Sequence, residues 1–466
     1  MLDYFPKYFS NKAILLYAGA LVLVNILFFS NMLPFVWWLF GFIQIGCFFY
    51  FSNTLSKSWT NISPGSFTKK IFYTSLVIRS VWVIFSYFFY LGMTGLPFEF
   101  SVADSMLYHR IAESLAETGW GNYENVFFGM PVSDRGYGTY LGTVYMIFGN
   151  GVLIPRLLKA VLGSVTCVLI YRLSNRNFGE ATGRMAAIFC MLMPNLILYA
   201  GIHMKEAEMV FLTVWFIERA DSLIRVHKYT FLSVTPTLMI GASLFFFRTV
   251  LGVTAMFSLF TALIFSSRRI MSMSNRLVIT GWVIVALAYF VGSNIASEVE
   301  EIWQSRVENQ DVALEYYATR EGGNTLAKYA SKSVFAPLIF VIPFPTIINT
   351  PNQQNQQLIH GGNYVKNIMA FFALFCLFFM IKEKKWRDHL LILSFTLGYL
   401  LVIAMSAFAQ SERFHQPALP FILILAAYGV NNISNKEKKY FKWYMAFIFV
   451  VLIAWSWFKL SGRGMV

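Results

Sequence analysis

Charged residues are scarce in this sequence. They make up 13% of its 466 residues, against the roughly 25% that soluble domains carry to keep their surfaces hydrated. Acidic residues are the scarcer sign, with 23 Asp and Glu against 37 Lys and Arg, while 57% of the residues are hydrophobic. Because the apolar residues form runs long enough to cross a bilayer, this composition excludes a soluble globular enzyme.

Cysteine pairs and cofactor motifs are missing as well. The four cysteines (positions 47, 167, 190 and 376) lie in apolar runs without CxxC spacing, so neither a disulfide framework nor a zinc site is predicted. The sequence contains no Walker A, Rossmann glycine or HExxH motif, so nucleotide binding and zinc hydrolysis have no support and no cofactor is predicted. Lys and Arg are dispersed over loops rather than clustered with aromatic residues, which excludes nucleic acid as a partner.

Long apolar runs are what the sequence has instead. They predict an all-α polytopic membrane protein with about 13 transmembrane helices and external juxtamembrane helices. The predicted spans are 13–30, 32–52, 71–92, 152–172, 185–202, 206–220, 231–247, 249–267, 277–296, 364–381, 389–409, 415–432 and 441–459. The first run has no A-x-A-like cleavage site and is interpreted as a retained span. Two weaker segments, 138–149 and 333–349, are predicted not to cross, because the first is short and three prolines break the second.

The loops between these spans alternate in charge. Because Lys and Arg near span ends favour the cytoplasm, the pattern places the N-terminus inside and the long loops 93–137 and 297–332 outside. Loop 93–137 has six acidic residues against two basic ones, and loop 297–332 has seven against four. The chain therefore divides into three N-terminal spans (1–92), an external loop with a short re-entrant segment (93–150), a central bundle (151–296), a second external loop (297–363) and C-terminal spans (364–466).

The first external loop carries a carboxylate on a predicted helix. Apolar residues at 103, 107, 111 and 115 recur every four positions, which indicates an amphipathic helix lying on the outer leaflet. Asp104 lies in its first turn. Its spacing from Ser101 fits a capping box, in which the acid only satisfies the helix start; the alternative is a catalytic or ligand-binding carboxylate.

Four other charged segments are predicted at the same membrane face, where ionisable groups are functional candidates. Each has a structural alternative: Lys205 with Glu208 as a helical ion pair, Arg248 as a snorkelling residue, Arg413 as an interfacial anchor, and Asp134-Arg135 as a turn. A carboxylate together with several cations suggests a general base that activates a hydroxyl, with Lys and Arg neutralising a phosphate leaving group.

Three stretches of the chain resemble the GT-C superfamily of polyprenyl-phosphate-dependent glycosyltransferases. They are the segment around Asp104, Tyr108 and His109, the segment from Tyr137 to Gly149 with the Arg156-led span after it, and Glu412-Arg413-Phe-His-Gln-Pro417-Ala-Leu-Pro420. The likeness is closest to the branch of protein O-mannosyltransferases and the lipid A aminoarabinose transferase. It implies Asp104 as the catalytic base and Lys205, Arg248 and Arg413 as the residues that bind the lipid phosphate. The complete set of predicted substrate-binding residues also includes His109, Arg135, Tyr137, His203, Glu206 and His415.

The resemblance implies an inverting glycosyltransferase of the bacterial inner membrane with its active site facing the periplasm. Its donor would be a polyprenyl-phosphate sugar, and its acceptor would be a glycan, lipid or protein. Membrane lipids are its other expected partners. Some relatives use a divalent metal, for which Asp104, Asp134, Glu206 and Glu412 are the available carboxylates. Two alternatives remain: an O-antigen-type polymerase or ligase using lipid-diphosphate glycans, and a lipid-linked glycan flippase or transporter.

Overall fold

The chain is all-α in a computed structural model that describes residues 3–100, 102–225, 231–267, 312–319, 323–329, 332–406 and 408–466, with a few isolated positions between 277 and 285. No strand occurs in these ranges. The principal helices are α1 Lys7–Leu27, α2 Phe35–Ser58, α3 Pro64–Thr94, α4 Ala103–Thr118, α5 Val132–Phe148, α6 Leu153–Phe178, α7 Glu180–Leu192, α8 Glu206–Arg225, α9 Phe231–Phe247, α10 Thr249–Phe265, α11 His360–Lys382, α12 Leu390–Ala404, α13 Leu419–Asn432 and α14 Lys438–Ser461.

Within the described residues, seven helices are long and apolar enough to cross a membrane, which makes the chain a multi-pass membrane protein. They are α1, α2, α3, α6, α11, α12 with the turn before it, and α14. An eighth span is formed if α7 is counted together with the segment Pro194–Gly201, which continues it after a 52° bend. Pro194 marks the break, because proline cannot donate the next helical hydrogen bond.

The count of thirteen spans stays a prediction. Helix α8 carries several charged residues and α13 has only 14 residues, so neither has the length and composition of a span. Helices α9 and α10 are apolar but short. The predicted span 277–296 and much of the loop 297–332 lie outside the described residues.

Helix α3 shows how the lipid-facing helices are built. Its start is capped by Ser63, whose side chain accepts a hydrogen bond from the Ser66 N–H, and Pro64 follows at the first helical position. Its end is at Gly95, whose φ of +76° is a conformation that side chains disfavour. One narrow face is buried, at positions 67, 71, 75, 79, 83, 86 and 90, so most of the helix surface remains for lipid.

The first external loop folds into two packed helices, α4 and α5. The predicted helix around Asp104 is present, and part of its predicted apolar stripe, Ile111 and Leu115, is buried. The buried positions include Tyr108, Ala112 and Leu115, whereas Leu107 is 51% exposed. The helix buries the stripe with spacings of three and four residues that packs on α5, rather than a strict repeat of four.

Close approach of α4 to α5 depends on glycine. A Cβ atom added at Gly142 would lie 2.6 Å from Leu115 Cδ2 and 3.0 Å from Leu115 Cβ. Gly138 is similarly close to Phe127. Because glycine has no side chain at these two positions, the backbone of α5 can pack directly against Leu115 of α4 and against Phe127.

We expect Gly142→Val to lower the free energy of unfolding by about 1–3 kcal/mol, as overpacking does. The measurement is the midpoint temperature of thermal aggregation of the purified protein, which size-exclusion chromatography detects as loss of the monodisperse peak. Gly46→Val is the matched control, because Gly46 lies inside α2 with nothing within 4 Å of an added Cβ. An equal loss of stability in both variants would contradict the packing argument.

Helix α6 connects two charged ends of the bundle. Near its last turn, Arg176 donates to Asp221 Oδ2 at 3.0 Å and Arg225 donates to Asn177 Oδ1 at 2.8 Å. Near its first turn, Arg156 Nη2 donates to the Pro97 carbonyl at 2.5 Å. The C-terminal end of α6 lies next to basic loops that are predicted to be cytoplasmic. The N-terminal end lies next to the candidate site residues.

Candidate functional site

Arg413 is the centre of the candidate site. It lies in a short helical turn, Glu412–His415, that precedes α13. Its Nη1 donates to Asp104 Oδ2 and its Nε donates to Glu206 Oε1. The Glu206 side chain is fully buried, whereas that of Asp104 is 48% exposed. Arg413 therefore joins a buried carboxylate to an accessible one, from parts of the chain that are far apart in sequence.

The two carboxylates keep Arg413 charged. Burial by itself lowers the pKa of Arg413, but the negative charges of Glu206 and Asp104 outweigh it and raise the pKa above its ordinary value. An ion pair of this kind is strong because guanidinium nitrogens lie in a planar fork that matches carboxylate oxygens.

The contact made by Asp104 differs from a helix cap. Helix α4 begins after Val102, which makes no side-chain capping hydrogen bond, and Ser101, the predicted partner in a capping box, lies outside the described residues. Asp104 directs its carboxylate to Arg413 instead. This contact favours the functional interpretation of Asp104.

A second ion pair lies beside the first. Lys205 Nζ donates to Asp134 Oδ1 and to the Ser133 carbonyl, the latter at 3.0 Å. The Tyr108 hydroxyl donates to the same Asp134 oxygen at 2.7 Å. The alternative pairing of Lys205 with Glu208 does not form; Glu208 lies 3.6 Å from Lys159.

The charge of Arg248 affects the pKa values of both Asp134 and Lys205. Burial raises the pKa of Asp134, but Lys205, Tyr108 and Arg248 together outweigh burial and hold that pKa below its ordinary value. Burial lowers the pKa of Lys205, and Asp134 only partly offsets this effect. Asp134 is therefore ionised at neutral pH.

Arg248 lies at the break between α9 and α10. Its guanidinium carbon is 4.2 Å from the centroid of the Phe414 ring, and that of Arg413 is 5.9 Å from the same centroid. One nitrogen, Nη1, is buried without a hydrogen-bond partner in the described part of the chain. Arg248 therefore brings to the cluster a donor that no acceptor among the described residues satisfies, which is costly unless another group supplies the acceptor.

Three of the candidate residues form a group of rings next to these ion pairs. Tyr145 receives or donates hydrogen bonds at 2.7 Å to His109 Nδ1 and at 3.2 Å to His203 Nε2. Burial lowers the pKa of His203 well below its ordinary value, so this histidine is neutral. The Tyr137 ring packs edge-on against Tyr108, with centroids 5.0 Å apart.

Two candidates are placed elsewhere. Arg135 donates to the Met130 carbonyl at 3.2 Å and lies 3.5 Å from Glu124. His415 points to the C-terminal helices, where its Nδ1 lies 2.8 Å from Lys366 Nζ. Neither of them contacts Asp104, Glu206 or Lys205 in the described structure.

Sequence reasoning did not assign a role to Lys159 of α6. This side chain is fully buried and its Nζ donates to the Ile202 carbonyl, at 2.8 Å, and to the Met204 carbonyl. It therefore fixes the loop that carries His203 and Lys205. The available signal was a lysine inside an apolar span, which is costly without a partner.

A cavity of about 190 Å³ opens beside Arg413. Its polar wall contains Glu99, Gln353, Gln356 and Glu412. Burial raises the pKa values of Glu99 and Glu412 above their ordinary range. A group bound here would lie next to Arg413, the ion-pair partner of Asp104.

Three of the four carboxylates available for a divalent metal are already paired with cations. Asp104 and Glu206 are both held by Arg413, and Asp134 is held by Lys205. Through the described ranges, no group of three or more His, Cys, Asp or Glu is placed to hold an ion.

Fold and site together define a multi-pass, all-α membrane protein with an ion-pair cluster at one end of its bundle. No family model matches the chain, and no curated protein matches it. Among solved structures, the fold is similar to that of the archaeal oligosaccharyltransferase AglB from Archaeoglobus fulgidus, solved in complex with an inhibitory peptide and a dolichol-phosphate. The identity is 12% and the TM-score is 0.45; the match covers 85% of this chain and 55% of that one. The chain thus spans about half the length of that protein.

Proposed function

We propose that this protein is an inverting membrane glycosyltransferase. It transfers a sugar from a polyprenyl-phosphate-linked donor to an acceptor at the external face of a bacterial inner membrane. The observation that carries the proposal is the position of Arg413 between the accessible Asp104 and the buried Glu206, with Arg248 and Lys205 beside it. A base and several cations at one membrane face are what transfer from a lipid phosphate requires.

The reaction assigned to this site is a single displacement. Asp104 accepts the proton of an acceptor hydroxyl while the hydroxyl oxygen attacks the anomeric carbon of the donor sugar. The bond between that carbon and the phosphate oxygen breaks, and its electron pair leaves with the polyprenyl phosphate. Arg413, Arg248 and Lys205 stabilise the charge that develops on the leaving phosphate. Attack opposite to the leaving group inverts the anomeric centre.

Phosphate recognition is tested by binding. We expect the protein in lipid nanodiscs to bind a polyprenyl phosphate at least tenfold more tightly than the corresponding polyprenol. Arg248→Met should remove about 1.5–3 kcal/mol of binding free energy, the usual contribution of a charge-assisted hydrogen bond. Native mass spectrometry of the intact protein measures both.

Arg135→Met is the matched control, because Arg135 contacts Met130 and Glu124 instead of the ion-pair cluster. Equal affinity for the phosphate and the alcohol, or an equal loss in the two arginine variants, would count against the proposed site.

Membrane sidedness is tested by labelling single cysteines. With Cys47 replaced by serine, we expect a membrane-impermeant maleimide to label Thr118→Cys, at the end of α4, in intact cells. The same reagent should label Ser434→Cys, between α13 and α14, only after the membrane is opened. This follows from the basic loops around residues 57–70, 172–184 and 436–439, which favour the cytoplasm. The reverse pattern would invert the proposed orientation.

A further inference from the structure

A second and larger cavity adjoins the one beside Arg413. It has a volume of about 330 Å³, at the lower end of the range of small-molecule sites. The two cavities share four wall residues: Gln353, Gln356, Ser411 and Glu412. We call the larger one the amide cavity, because its wall also contains the side-chain amides of Asn324, Asn363 and Gln410.

Lys459 of α14 organises two of these amides. Its side chain is nearly fully buried, and its Nζ donates to Thr346 Oγ1 at 2.6 Å, Gln353 Oε1 at 2.8 Å and Gln356 Oε1 at 2.7 Å. All three acceptors are neutral. Since each amide oxygen points to the ammonium group, the amide NH₂ groups are turned away from it as oriented donors.

The rest of the wall adds an unsatisfied donor and aromatic surface. Gln410 Nε2 is buried without a hydrogen-bond partner among the residues that the structure describes. The rings of Trp455 and Phe458 are stacked with centroids 5.2 Å apart, and Phe344 packs against Trp455 at 5.6 Å. Oriented amide donors next to aromatic faces match a sugar ring, which presents hydroxyl acceptors at its edge and C–H groups on its face.

We infer that the amide cavity binds a sugar ring of the acceptor, so that the acceptor is a carbohydrate rather than a peptide. The assignment of this sugar to the acceptor rests on the proposed function, whereas the binding of a sugar in the amide cavity does not. Glu412 and Ser411 form the wall between this ring and the cavity beside Arg413. A hydroxyl of the bound sugar that reaches past them enters the cavity lined by Arg413, the ion-pair partner of Asp104.

The test is saturation-transfer difference NMR on the full chain in nanodiscs. The probes are glucose, galactose, mannose, N-acetylglucosamine, glucuronate and the peptide acetyl-Gly-Ser-Thr-amide. We expect a signal from at least one sugar, reduced at least fivefold by Trp455→Leu and by Lys459→Met. Lys442→Met is the matched control, because Lys442 lies on the same helix but is exposed; it should leave the signal unchanged. If Trp455→Leu does not accumulate, Gln353→Leu replaces it.

Absence of any sugar signal, or a sugar signal that survives these substitutions, overturns the inference. A signal from the peptide alone also overturns it, in favour of a protein acceptor. Arg248→Met separates this inference from the proposed function, because it should weaken polyprenyl-phosphate binding and leave the sugar signal intact. If the wild-type protein binds the sugar but not the phosphate, the proposed function fails while the sugar site stands.

Discussion

Asp104→Asn is expected to reduce sugar transfer by roughly 10²–10⁴-fold, the usual contribution of general-base catalysis. The asparagine keeps the size of the side chain and an oxygen that accepts from Arg413, but it cannot take the hydroxyl proton. Because Arg413 retains its contact with Glu206, the fold should persist and the protein should accumulate normally. Transfer from a polyprenyl-phosphate sugar, measured on the purified protein, gives the result.

Two further variants serve as a matched control and as a test of rescue. Glu117→Gln removes an exposed carboxylate from the same helix and should leave transfer unchanged. Asp104→Glu keeps a carboxylate and should recover part of the lost rate. Undiminished transfer by Asp104→Asn would refute the assignment and move the search to Glu412, the carboxylate shared by the two cavities.

Arg413→Met should have the largest effect on stability. It leaves the fully buried Glu206 without its closest cation, and breaking a buried pair by removing one partner costs about 3–5 kcal/mol. Transfer should also fall, because the developing phosphate charge loses a neutralising group. Thermal unfolding and transfer rate are measured on the same preparation.

The double variant Arg413→Met with Glu206→Gln separates the two effects. Removing both charges should restore most of the stability, since replacing a buried ion pair with neutral groups is often nearly neutral. It should not restore transfer. If transfer returned together with stability, Arg413 would have a structural role only.

Much of the fold was accessible from the sequence because apolar length and charge are local properties. The helices α1, α2 and α3 were predicted within several residues, and the helix that carries Asp104 was predicted from its apolar spacing. The three prolines in 333–349 predicted that this segment is not a continuous helix, and the only helical turn that the structure describes there is Lys332–Phe335. The exposure of Leu107 did not follow from the repeat, because the orientation of α4 is set by contact with α5, where Gly142 allows a close approach that no local pattern records.

The candidate site was only partly accessible for a related reason. Charges at membrane depth indicated Asp104, Lys205, Arg248 and Arg413, and the structure places them in one cluster. Their pairing is a tertiary property, however, since Arg413 lies 309 residues from Asp104 in the chain. For the same reason the sequence did not connect Lys205 with Asp134. The cavity organised by Lys459 was not predicted, because single amides scattered along a chain carry no signal.

The double contact of Arg413 has a consequence for the order in which substrates bind. Its guanidinium donates to one carboxylate through Nε and to another through Nη1, so an incoming phosphate competes with both carboxylates for the charge of Arg413. The Glu206 side chain is fully buried, whereas that of Asp104 is 48% exposed, so Asp104 is the carboxylate that can move away more easily. Under the proposed function, we expect donor binding to weaken the ion pair of Asp104 with Arg413 and so to make Asp104 available to an acceptor hydroxyl. We expect ordered kinetics with the donor first, in which the base remains blocked by its own arginine until there is a sugar to transfer.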